Sequence, residues 1–149
     1  MTKIEVYLSL WEYLWDHGHK TITIIDKENA WEYRVNPKEF TIKETFYHTV
    51  KAIYEDAGNW FLNDSIPFKS LKNPMEDLKR SIDRMMEAIR NFQDENLDDE
   101  HVFQWGQKTT IAGAIQQNLF HAVGHFSQLR NWVGICRRAL GKKQTREIL

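Results

Sequence analysis

The chain has 149 residues with 28% charged side chains and a formal net charge of −1. That balance excludes the concentrated basic surface that nucleic-acid binding needs. One cysteine, Cys136, excludes an internal disulfide framework and fits a reducing cytoplasm. No apolar run approaches the ~20 residues of a membrane span, and no signal peptide is evident. The length reads as a single domain, 1–149, able to bury a real core.

Four segments carry helical periodicity. In the first, Ile4, Leu8, Trp11, Trp15, Ile22 and Ile25 recur at helical steps and predict a helix over 4–28. Gly18 is its weak point, and the β-branched stretch 21–25 also admits a short strand. The second helix opens at Thr41, where Thr41 and Glu44 have the spacing of a capping box, and its ridge runs Ile42, Phe46, Val50, Ile53, Ala57, Phe61. A long connection then leads to Asn73-Pro74, which starts the third helix with proline at its first position. Met75, Leu78, Ile82, Met85, Ile89 and Phe92 form its stripe.

A polar connection over about 96–108 precedes the last helix, which runs from Thr109 or Thr110 to about Leu140 and stops at Gly141. Cys136 falls on its apolar ridge and reads as core. The basic residues Arg137, Arg138, Lys142, Lys143 and Arg146 read as a solvated tail that complements the helix dipole. No strand pattern competes strongly. The expected fold is all-α, a four-helix bundle with a long connection between helices 2 and 3.

The chemistry concentrates in two places. His121 and His125 stand four apart on the last helix, so both imidazoles project from one face and can hold one ion. They sit about a quarter-turn from the apolar ridge, in line with Asn118, Gln128 and Trp132. His48 lies off the ridge of the second helix, in line with Thr45, Ala52, Glu55 and Asn59, and could complete the set. Three neutral nitrogens leave one coordination position open, the arrangement of a catalytic rather than a structural metal.

The competing reading is that each histidine is a hydrogen-bonded, partly buried side chain. Gln128 and Glu55 are candidates to orient a ligand or take a proton. Tyr47, Tyr54, Trp60 and Trp132 either wall a pocket or pack in the core. His17, His19 and His101 read as solvated turn residues. The six tryptophans suit a splayed bundle or a dimer contact. Glycine motifs for phosphate and a local Ser/His/Asp signature are both absent.

The whole chain resembles the DinB-like family. The resemblance rests on a length near 150, a histidine early in the capped second helix, an HxxxH motif in the last helix, and glutamine three residues beyond. The family motif commonly reads HxxxHRGQ; here Phe126-Ser127 replace Arg-Gly, outside the ligand positions. The resemblance implies a four-helix bundle, often homodimeric, with a divalent metal such as zinc or nickel on His48, His121 and His125. It also implies a thiol-dependent S-transferase acting on small electrophiles, with a low-molecular-weight thiol such as bacillithiol or mycothiol as co-substrate. The alternatives are a non-catalytic metal-binding or stress-related interaction bundle and a metal-dependent hydrolase. No polymerase activity is implied.

Overall fold

Thr2 caps the first helix: its hydroxyl accepts from Glu5 N at 3.1 Å while the Glu5 carboxylate accepts from Thr2 N at 2.7 Å. In the computed structural model, which describes residues 1–143, helix α1 follows as Lys3–Lys27. It runs unbroken through Gly18. That glycine is a contact, because a Cβ there would lie 2.6 Å from Leu78 Cδ2 and 3.2 Å from Phe126 Cε2. The strand alternative for 21–25 is wrong. Thr21 and Thr23 donate their hydroxyls back to the carbonyls of His17 and His19, the i−4 bond of a helix, and Ile22 and Ile25 are buried.

The capping box at Thr41 and Glu44 starts α2, Ile42–Asp56. Its predicted ridge does not continue as α-helix. A π-helical segment, Ala57–Leu62, follows and ends at Asn63 in the left-handed region, φ 52°. The connection that comes next is pinned rather than loose: Phe68 N donates to Glu55 at 2.9 Å, and the buried Asp77 accepts from Ser70 Oγ at 2.6 Å and Leu71 N at 2.9 Å. Asn73 caps α3, Pro74–Arg90, with proline at its start as expected.

The polar connection before the last helix holds more structure than the sequence suggests. A 3-10 turn at Asp94–Asp98 leads into an antiparallel pair, β1 (Glu100–Val102) and β2 (Lys108–Thr110), with His101 opposite Thr109. Thr110 then caps α4, Ile111–Ala139, and Gly141 at φ +74° lies past its end. Arg146 of the basic tail lies outside the described residues.

Both α1 and α2 pack against α3 and α4, which places α1 and α2 at opposite corners of a four-helix bundle. Trp11, Phe46, Phe126, Ile53, Leu78 and Met85 are buried at its centre. Each such side chain contributes roughly 1.5–3 kcal/mol of transfer free energy. Cys136 is buried in this core as expected, and its thiol pKa is raised by burial. Among the described residues no helix is long and apolar enough to cross a membrane.

Candidate metal centre

The contact of α2 with α4 carries the site. His48 stands on the second turn of α2, one helical step beyond Thr45, and His121 and His125 stand on the facing side of α4. The buried neighbours Phe46, Thr49 and Val50 on one helix and Ala122 and Phe126 on the other fix the helix faces, leaving the imidazoles at the edge of the core. There the three rings converge. His121 Nε2 lies 3.2 Å from His48 Nε2 and 3.1 Å from His125 Nε2, and the three candidate ligand nitrogens all lie within 4.8 Å of one another.

Three imidazole nitrogens crowded together leave their hydrogen bonding incomplete. His125 Nδ1 sits 3.0 Å from Gln128 Oε1, an acceptor, so the ring proton belongs on Nδ1 and the Nε2 lone pair faces His121. One N–H on His121 cannot serve both of its neighbours. A cation at the centre satisfies all three. For zinc, nitrogen ligands at about 2.0–2.1 Å in a tetrahedron stand roughly 3.3 Å apart, close to the two separations from His121.

Electrostatics point the same way. Burial, followed by the neighbouring His125 and His48, pushes the His121 pKa down to about 4. Burial, then His125 and Lys51, also lowers that of His48. Both imidazoles are therefore neutral near pH 7, the form that binds metal. Among the described residues no carboxylate joins the cluster. The donor set fits a divalent ion of borderline softness such as zinc, nickel, copper or iron, and it does not fit magnesium or calcium, which prefer oxygen.

No family model and no curated protein matches the chain. Solved structures do. A DinB-like protein from Bacillus subtilis, YjoA, superposes with a TM-score of 0.67 at 18% identity, over 93% of this chain and 94% of the other. A DinB-like protein from Bacillus cereus gives a TM-score of 0.64 at 18% identity, over 92% of each chain. The fold is DinB-like. Within this DinB-like bundle, the departure at Phe126 has a local reason. Phe126 is fully buried against Phe46 and the open side of Gly18, a place for an apolar ring.

The remaining expectations for the site divide. Gln128 is at the cluster, bonded to His125. Glu55 is not among its hydrogen-bonded groups, because its carboxylate holds the backbone of Phe68 instead. Asn59 is exposed within the π-helical segment. Tyr54 lies under the guanidiniums of Arg84 and Arg80, away from the histidines. Tyr47 lines a cleft beside His48 together with Phe40, Lys51 and Phe68. Trp132 belongs to the core.

Trp60 does wall a pocket. It lines a cavity of about 240 Å³ with His48, His121, Asp56, Trp105 and Asn118.

The outlying histidines are not solvated turn residues. His17 and His19 lie inside α1. His17 packs on Phe126 with its Nε2 buried and without a partner among the described residues, whereas His19 is exposed beside Trp15. His101 is in β1, among the rings of Phe61, Phe103 and Trp60, and burial lowers its pKa.

Sequence reasoning missed Asp56 as a site residue. The signal was present, since His48, Ala52 and Asp56 are successive i,i+4 steps along one face of α2. Trp105 carries no such signal, because the hairpin that places it has the sequence of a polar connection.

Proposed function

We propose that this protein is a metal-dependent enzyme of the DinB-like class. In this reading His48, His121 and His125 hold a divalent ion, zinc or nickel by preference, and the reaction is transfer of a small electrophile to a low-molecular-weight thiol. The observation that carries it is the convergence of three imidazoles, with no carboxylate among the described residues joining the cluster and with His48 and His121 kept neutral by burial. An ion bound there would favour the thiolate form of a thiol and thereby supply the nucleophile.

The chain's own residues supply the rest. Gln128 holds the His125 ring with its Nε2 lone pair inward. The cavity beside His48 and His121 offers the substrate a site walled by Trp60 and Trp105. In the balanced reaction, the sulfur forms a bond to the electrophilic carbon, and the leaving group departs with its electron pair. The thiol's proton goes to solvent.

A purely structural ion is the less favoured role. The bundle buries Phe46, Phe126 and their neighbours without help from the histidines, and His48 is exposed. A homodimer and a cytoplasmic location are part of the same proposal. The exposed Phe120 and Val123 on α4 support the first, and the single buried thiol supports the second.

The test is the metal content of untagged protein, before and after loading with zinc or nickel, with His125→Ala alongside. Near-stoichiometric metal that vanishes in the variant is expected, together with thiol-dependent consumption of an electrophile that chelation abolishes while the helical fold remains. Wild-type protein that takes up neither ion would overturn the proposal. Turnover without added thiol would move the reaction to hydrolysis. Unfolding on chelation would move the metal to a structural role.

A further inference from the structure

The cavity beside the histidines is chemically lopsided. Asp56, Asn118, Trp60 and Trp105 line it together with His48 and His121, and among the described residues its lining has one carboxylate and no lysine or arginine. Asn118 is 2% exposed. Its Nδ2 donates to Asp56 Oδ2 at 2.8 Å, yet its Oδ1 is buried and has no hydrogen-bond partner among the described residues. A buried carbonyl left without a donor costs about 1–3 kcal/mol, and native interiors seldom keep one without a reason. Asp56 and Asn118 thus place a carboxylate and an unpartnered carbonyl side by side at a cavity whose other lining residues, the histidines apart, hold no basic side chain.

The walls suit the same ligand. Trp105 is 60% exposed and stacks on Phe103, and Trp60 donates its Nε1–H to Gln104, which fixes that ring across the cavity. Indole faces attract cations, by roughly 0.5–1 kcal/mol at exposed sites and about 2 kcal/mol when desolvated.

We infer that this cavity is a subsite for a primary ammonium group, held by Asp56 and the free carbonyl of Asn118 between Trp60 and Trp105. The three N–H bonds of an ammonium match two acceptors and leave one for solvent. The inference rests on the proposed function and deepens it by naming a substrate class: the molecule processed beside the histidines carries an amine on the side nearest α2. Burial holds the Asp56 carboxyl at a pKa of about 6, so an ionised partner is available at neutral pH.

The experiment uses benzylammonium chloride as probe, with benzyl alcohol and benzoate as matched controls, in calorimetric and tryptophan-fluorescence titrations at pH 7.5. Each titration is run on metal-free and on zinc-loaded protein, with metal content measured on the same samples. Benzylammonium is expected to bind at least about tenfold more tightly than the alcohol, a difference of ~1.4 kcal/mol, and benzoate more weakly still.

Asp56→Asn should abolish that preference. Trp105→Leu, at an exposed position, should weaken the ammonium severalfold and by more than it weakens the alcohol, since only the cation interacts with the indole face through charge. Equal binding of ammonium and alcohol, or a preference that survives Asp56→Asn, would overturn the inference. Metal uptake without ammonium preference would sink the subsite alone. Ammonium preference in a protein that takes up no metal would sink the proposed function alone.

Discussion

Gln128 Oε1 lies 3.0 Å from His125 Nδ1, one helical turn along α4 from the imidazole it holds. The amide carbonyl fixes the proton on Nδ1 and leaves Nε2 as the atom turned toward His121. Partners of this kind typically change metal affinity by about 10–100-fold when removed. Gln128→Ala should therefore weaken zinc binding by about that factor in competition with a chromophoric chelator. Gln128→Glu, which keeps the acceptor, should retain it. Gln128 is exposed, so neither change should move the melting temperature appreciably. Unchanged affinity in the alanine variant would show that packing alone orients the ring.

Asp56 gives the fold a pH signature of its own. Burial, opposed by the Asn118 amide and reinforced by the nearby charge of Glu55, raises its pKa from 3.8 to about 6. Between those values the native state holds a proton that the unfolded chain has released, so stability falls as pH rises through this window and is level above it. A shift of this size corresponds to about 3 kcal/mol when fully expressed; for a half-solvated group roughly 1–2 kcal/mol is the reasonable expectation.

Asp56→Asn removes that cost. The variant should melt a few degrees above the parent at pH 7.5, and the gain should disappear near pH 4. The buried imidazoles titrate equally in both proteins and cancel in the difference. Thermal unfolding of metal-free protein at several pH values reads this directly, and an equal gain at pH 4 would refute it.

Gly18 is a packing position rather than a hinge, and one substitution distinguishes the two. Alanine is the better helix former by about 1 kcal/mol. The new methyl, however, would meet Leu78 Cδ2 at 2.6 Å and Phe126 Cε2 at 3.2 Å, and both side chains are fully buried. Overpacking a closed core costs about 1–3 kcal/mol, so the clash outweighs the propensity. Gly18→Ala should lower stability by roughly 1 kcal/mol in denaturant titration. Stabilisation would mean that Leu78 has room to turn away.

The sequence was legible where period and capping agree. Thr41 with Glu44, Asn73 with Pro74, and the apolar ridges of α2, α3 and α4 located the helices, and the i,i+4 pair with His48 located the cluster. It was opaque where side chains from separate segments cooperate. Helical spacing puts both Glu55, which braces the Phe68 backbone, and Asp56, which faces the cavity, on the side of His48, and it does not rank them, because the partners that separate them lie beyond the π-helical segment and on α4. His101 reads as solvated because the residues around it are polar; its aromatic partners, Trp60 and Phe61, come from the far end of another helix. Gly18 looked like a break because its close neighbours belong to α3 and α4.

Arg84 braces the π-helical segment from α3. Its Nε donates to the carbonyl of Tyr54 at 3.1 Å, its guanidinium pairs with Asp64 and lies 4.5 Å over the Tyr54 ring, and its side chain is only 14% exposed. It thereby ties α3 to both ends of the segment that carries Trp60. Removing one partner of a nearly buried ion pair leaves the other charge uncompensated and costs about 3–5 kcal/mol in fully buried cases. With Asp64 29% exposed, roughly 2 kcal/mol is expected for Arg84→Ala.

The effect should be local as well as global. Amide exchange over residues 57–64 should accelerate more than that of α1, and the Trp60 fluorescence should shift toward that of a solvated indole. Zinc affinity should change by less than about twofold, because His48 lies more than two turns upstream of the segment, where α2 packs on α4. A large loss of metal binding in Arg84→Ala would show that the π-helical segment, and not the α2–α4 contact, sets the geometry of the cluster.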